Sequence, residues 1–169
     1  NVVDIEYGEM ILSDVYNQPM VAQGLPSEVY IGAPPASYSI QNVEGLLTPG
    51  GEGSFEVHLT NTEIVGTMSF ELSDAPEYLT VTSVEAVGRF ENGIIDGSTG
   101  EDSDNENFYF LGYDFAGGIP VGEGAVIKVN VQMNQNIDNP NVMLLFEEVS
   151  AGDAGANSIT AASQGLGLF

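Results

Sequence analysis

The chain has 169 residues, 25 of them acidic and only two cationic, Arg89 and Lys128, for a net charge of -23; 43% are hydrophobic and none is cysteine. Two cations cannot neutralise a phosphate backbone or an anionic bilayer, so nucleic acid and membrane insertion drop out as expectations. The apolar content is too high for a disordered acidic tail. No apolar run reaches the roughly 18 residues of a bilayer span, and Asn1 opens neither a basic nor an apolar leader, so a mature chain or an excised piece is expected.

The length suits one domain with an appendage. Carboxylates in such excess repel one another unless salt screens them or divalent cations bind them, which suits a saline or calcium-containing exterior. The absence of cysteine fits an exported prokaryotic protein without disulfides. The expected location is therefore extracellular or at the cell surface.

The first 31 residues form an extended N-terminal segment, and Ile31-Gly32-Ala33-Pro34-Pro35-Ala36 follows as a stiff break, because consecutive prolines donate no ladder hydrogen bonds. A linker is placed over 32–36 and the main domain over 37–169. Strands are predicted at Tyr38 to Val43, around Phe55, Val57 and Leu59, around Met68, Phe70 and Leu72, and at Leu79 to Val87, where the apolar phase slips between Val81 and Val84 as at a bulge. Further strands follow at Phe108 to Phe115, around Ile127, Val129, Val131 and Met133, and at Val142 to Val149. Pro49-Gly50-Gly51-Glu52-Gly53 marks a turn, and Asn92-Gly93 and Asp96-Gly97 supply the positive-φ positions of tight turns. No amphipathic helix longer than about ten residues is found. The fold class is all-β, an antiparallel jelly-roll β-sandwich of about nine strands with an N-terminal strand-donor or preceding-repeat segment.

At an offset of 139 residues, Val3, Ile5, Tyr7, Met10, Asp14 and Ala22 fall opposite Val142, Leu144, Phe146, Val149, Asp153 and Ala161. Read as a repeat, this makes residues 1–31 a second copy of a domain's closing strands.

The order of motifs resembles a cohesin domain. Asn42-Val43-Glu44-Gly45, Thr48-Pro49-Gly50-Gly51 leading into Phe55-Glu56-Val57-His58-Leu59-Thr60-Asn61, then Val65-Gly66-Thr67-Met68-Ser69-Phe70-Glu71-Leu72 and Tyr78-Leu79-Thr80-Val81 carry the first half. Ile119-Pro120-Val121-Gly122-Glu123-Gly124-Ala125-Val126-Ile127-Lys128-Val129 carries the second. The resemblance covers about residues 36–168. It implies a nine-stranded extracellular jelly roll that binds or displays and has no catalytic residues. It also implies a dockerin-binding sheet face, but no local motif selects that face.

Catalysis finds little support. The single histidine, His58, alternates onto the wet side of its strand between Glu56 and Thr60, far from the arrangement a nucleophile would need, and no enzyme is expected. Asp102, Asp104 and Glu106 alternate along an acidic loop and offer oxygen ligands to calcium, the one cofactor considered, although the spacing is not that of an EF-hand. Asp96, Asp114 and Asp153 are further carboxylates that calcium would have to gather across loops. Lys128 alternates away from the dry face, against a role in an intramolecular crosslink. The aromatics Phe108, Tyr109, Phe110, Tyr113 and Phe115 suit a core strand better than a sugar platform.

The functional expectation is an extracellular structural module that self-associates into a filament or array, through tandem repetition or β-strand donation, so that its partners are copies of itself. The donor residues would be Val3, Ile5, Tyr7, Met10 and Leu12. The alternative is a cohesin-type recognition module that binds a dockerin or, with calcium, a polysaccharide.

Overall fold

A computed structural model describes residues 2–5, 12–13, 19–20, 27–30, 34–45, 48–96, 108–114, 116–136 and 142–168. The chain divides into two units, 1–33 and 34–169. In the first, β1 (Val2–Ile5) pairs antiparallel with β4 (Ser27–Tyr30), and β2 (Leu12–Ser13) with β3 (Pro19–Met20).

The second unit is a two-sheet sandwich. Its strands are β5 (Ala36–Glu44), β6 (Glu52–Asn61), β7 (Thr67–Ala75), β8 (Leu79–Ala86), β9 (Ile94–Ile95), β10 (Phe108–Tyr113), β11 (Gly122–Met133), β12 (Val142–Gly152), β13 (Ser158–Ile159), β14 (Ala161–Gln164) and β15 (Leu166–Leu168). One sheet runs β14-β5-β6-β11-β8; the other runs β13-β12-β7-β10-β9, with β15 also on β12. The only described helical turn is a 3-10 turn at Gly88–Phe90. Among the described residues no helix is long and apolar enough to cross a membrane.

Alternation is why these segments are strands. In β7, Met68, Phe70 and Leu72 are buried while Ser69, Glu71 and Ser73 lie between them, so the strand has one dry face to set against the opposite sheet. The core gathers Phe70 with Phe110, stacked at 4.5 Å, Phe146 edge-on at 5.6 Å and Tyr38 at 5.8 Å. Such ring pairs contribute about 1 kcal/mol each beyond burial. Burial raises the Tyr38 phenol well above its ordinary value, and its hydroxyl donates to the Ser150 carbonyl at 2.9 Å, tying β5 to β12.

Three features depart from the sequence reading. First, the phase slip at Val81 and Val84 is a bulge, as expected, but β11 carries another between Ala125 and Ile127, which buries both Val126 and Ile127. Second, the closing segment breaks into β13, β14 and β15, and β14 runs parallel to β5, so the sandwich is not wholly antiparallel. The chain leaves β12's sheet at Ile159, joins the opposite sheet at Ala161 and returns at Leu166. Third, Gly93 does not take positive φ. A Cβ there would lie 2.0 Å from the Phe90 ring, so close packing against that buried side chain requires the glycine.

Arg89 shows where one of the scarce cations goes. Its guanidinium donates to the Leu59 carbonyl at 2.9 Å, to Asn61 Oδ1 at 2.9 Å and to the Pro120 carbonyl. Buried Asn61 in turn donates to the carbonyls of Glu63, Ile119 and Pro120. Together they close the end of the sandwich where β6 stops and β11 begins, and no buried polar side-chain atom among the described residues is left unpartnered.

Candidate functional site

Each sheet turns one face outward, and the two faces differ in chemistry. On β5-β6-β11-β8 the outward side chains are polar and bond to one another. Glu56 accepts from Asn42 at 2.6 Å and contacts His58 Nε2 at 3.0 Å; Asn130 donates to Ser83 and Glu85, both at 2.9 Å; Gln132 donates to the Gly50 carbonyl. The hydrogen bond from Asn42, then that with His58, holds the Glu56 carboxyl below its ordinary value. Lys128 sits half-buried on this face, in register with Glu56 and Glu85. His58 is outward but only 14% exposed, more covered than a freely solvated side chain, because the Glu56 carboxylate lies against it.

On β12-β7-β10-β9 the outward face is mixed. Register places Ile94 beside Tyr113, Leu111 beside Ser69 and Leu145 beside Ser73. Ile94 is 52% exposed and Met143 50%, while Leu111, Tyr113 and Leu145 are half-buried. Between them, Ser69 and Ser150 share a hydrogen bond of 2.7 Å, Ser73 donates to Glu147 at 2.6 Å, and the Tyr113 hydroxyl donates to Asp96 at 2.7 Å. Apolar side chains left in water beside short hydroxyls and carboxylates make a surface suited to a protein partner.

The alternation of β10 accounts for both sides of that strand. Phe108 and Phe110 are core and Tyr113 faces outward, so the alternating aromatics of β10 do not share one face; the Tyr109 side chain and Phe115 lie outside what is described. The outward role of Leu111 and Ile94 was missed by sequence reasoning, although the period of two from Phe108 and Phe110 contains it for Leu111.

Of the candidate donors, Val3 and Ile5 lie in β1 opposite Val29 and Ser27, and Leu12 lies in β2 opposite Met20; Tyr7 and Met10 are outside the described residues. Asp102, Asp104 and Glu106 are also outside them. Of the other calcium candidates, Asp96 takes the Tyr113 hydroxyl, Asp114 the Ala116 amide, and Asp153 the amides of Gly155 and Asn157 and the Asn157 side chain. Those bonds, with the Asn157 side chain's first, hold the Asp153 carboxyl below its ordinary value. Among the described residues no three His, Asp or Glu side chains converge on a metal position.

No family model matches the sequence, and no curated protein matches it. Solved structures do. A non-cellulosomal cohesin from the hyperthermophilic archaeon Archaeoglobus fulgidus superposes with a TM-score of 0.62 at 20% identity, covering 78% of this chain and 88% of that one. The OlpA cohesin of Clostridium thermocellum, solved in complex with the dockerin Doc918, gives 0.64 at 17% identity over 78% and 96%. The cohesin module of a family 33 glycoside hydrolase from Clostridium perfringens gives 0.65 at 11% identity over 80% and 96%. The expected fold is therefore shown: this is a cohesin-like jelly-roll sandwich.

Proposed function

We propose that residues 34–169 form a non-catalytic recognition module of the cohesin type, which takes a dockerin-like protein on the outer face of the β12-β7-β10-β9 sheet. The observation that carries this reading is the contrast between the two outward faces: both bond their polar groups internally, but the β12-β7-β10-β9 face also leaves Ile94 and Met143 half in water beside Leu111. Four of the structural neighbours were solved with dockerins, which supports a partner of that class. The acidic chain belongs outside the cell in this reading, where salt screens its charge.

The test is calorimetric titration of the full chain with a panel of type I dockerin modules, repeated for Leu111→Lys and for Asn130→Ala on the opposite face. Binding that is lost in the first variant and kept in the second supports the proposal. An absence of binding across the panel, or equal losses in both variants, would overturn it.

A further inference from the structure

The pairings inside the first unit match those that close the second. Adding 139 to each residue number turns Val3↔Val29 into Val142↔Leu168, Asp4↔Glu28 into Met143↔Gly167 and Ile5↔Ser27 into Leu144↔Leu166. The same shift turns Leu12↔Met20 into Ala151↔Ile159 and Ser13↔Pro19 into Gly152↔Ser158. Partners in both hairpins of the first unit sum to 32, and those in the closing hairpins of the second sum to 310, so this is one shared register, interrupted at the same place. The offset is the one at which the apolar patterns of the two segments align. In sequence, the same shift aligns Asp14 with Asp153, the carboxylate that collects its turn's amides in the second unit, and Asn17 with Ala156, which takes φ +59 there, a conformation asparagine tolerates better than alanine.

In the sandwich this hairpin is no appendage. β12 lies between β7 and its own return strands, with Val142, Leu144 and Ala151 buried, and β14 lies along β5. Transferred by the same shift, Val3, Ile5, Tyr7, Met10 and Leu12 occupy the inward positions of Val142, Leu144, Phe146, Val149 and Ala151, apolar for apolar in every case. Asp4, Glu6 and Glu9 take outward or bulge positions. The segment has the sequence of a closing element, and β7 is the edge it is shaped to cover.

Its own body is out of reach. To close that body, Tyr30 would have to stand just past Leu168, at the Ala75 end of β7, because Val142 pairs with Leu168 and Met143 with Ala75. Pro35 is held at the other end, where its carbonyl accepts from Thr62 and Ala36 donates to Thr160. The eight steps from Thr67 to Ala75 span about 26 Å, whereas the five from Tyr30 to the anchored Pro35 reach at most about 18 Å. We infer that residues 1–33 are a closing segment for another copy of this body, seated along that copy's β7 with Ile5 opposite Asp74 and Leu12 opposite Met68.

The inference is independent of the dockerin reading, and its test needs no dockerin. In the full chain, Leu144→Asp cripples the resident closing strand while leaving the first unit intact. The expected result is a protein that keeps a cooperative melting transition but shifts, by light scattering after gel filtration, to oligomers that grow with concentration. Adding Ile5→Asp to that variant should abolish both the transition and the oligomers, whereas Ile5→Asp alone should leave the melting of the body unchanged. Identical behaviour of L144D and I5D/L144D, whether both fold or neither does, would overturn the inference, as would rescue of L144D in a monomer.

Discussion

The two outward faces of the sandwich are built from equally regular strands, yet they handle exposure differently. On the β5-β6-β11-β8 face, Asn42, Glu56 and His58 form one hydrogen-bonded group, and Ser83, Glu85 and Asn130 another. A partner there would have to break bonds already made, and the exchange would return little net free energy. On the β12-β7-β10-β9 face, Ile94 and Met143 remain half in water. Covering them gains roughly 25 cal/mol per Å² of apolar surface. Binding potential on a sheet therefore follows from the apolar surface that its side chains leave in water.

Substitutions on and beneath each face put that contrast to the test. Phe70→Ala acts beneath the apolar-rimmed face, where the ring touches Phe110, Phe146 and Tyr38, and should cost about 4 kcal/mol in chemical denaturation. A cost under about 1 kcal/mol would mean that the core under this face is looser than its packing indicates. Asn61→Ala removes the donor to three carbonyls and an acceptor for Arg89, and about 3 kcal/mol should be lost by the same measurement. Leu111→Lys should lower dockerin affinity at least tenfold in calorimetry while changing stability by less than about 0.5 kcal/mol. Its mirror on the other face, Asn130→Ala, should leave affinity untouched.

The smallest effect concerns acid. Glu56 has its carboxyl lowered below its ordinary value in the folded state, chiefly by the hydrogen bond from Asn42 and then by that with His58. Its contribution to stability is therefore complete above the ordinary glutamate range and fades as pH falls through the depressed folded-state value. Melting temperature measured between pH 6 and pH 3 should fall slightly more steeply for the native chain than for Glu56→Gln. Parallel curves would show that the group on this face stores no charge-dependent stability.

How much of this was legible in the sequence depended on the strength of local alternation. Phe55-Val57-Leu59 and Met68-Phe70-Leu72 announce their strands because each apolar residue is followed by a polar one, and burial follows that phase. The bulge near Val81 left a visible slip. The bulge at Val126 did not, since Ala125, Val126 and Ile127 are all apolar and no phase can be read through them. The segment from Ser158 to Leu168 was opaque for another reason: two- to four-residue strands on alternating sheets carry too few positions to show a period. Arg89 was read only as one of two cations available to the carboxylates, yet it binds carbonyls and an amide, a destination that depends on where two distant strand ends meet. Of the candidate sites, the outward Leu111 was implicit in its strand's period, whereas Ile94 sits in a two-residue strand whose neighbours only the fold supplies.

The parallel pairing of β14 with β5 has a consequence for how the molecule comes into being. Ala36 is the first strand residue of the body to leave the ribosome and Ala161 among the last, yet they lie side by side, and Tyr38 waits for Ser150. Until β12 and the short strands that close it emerge, Phe70, Phe110 and Tyr38 sit in a half-built sandwich with one side open. Contacts of such long sequence separation form slowly and leave a nascent chain exposed to its neighbours. The order of synthesis thus makes the closing segment of the body its latch.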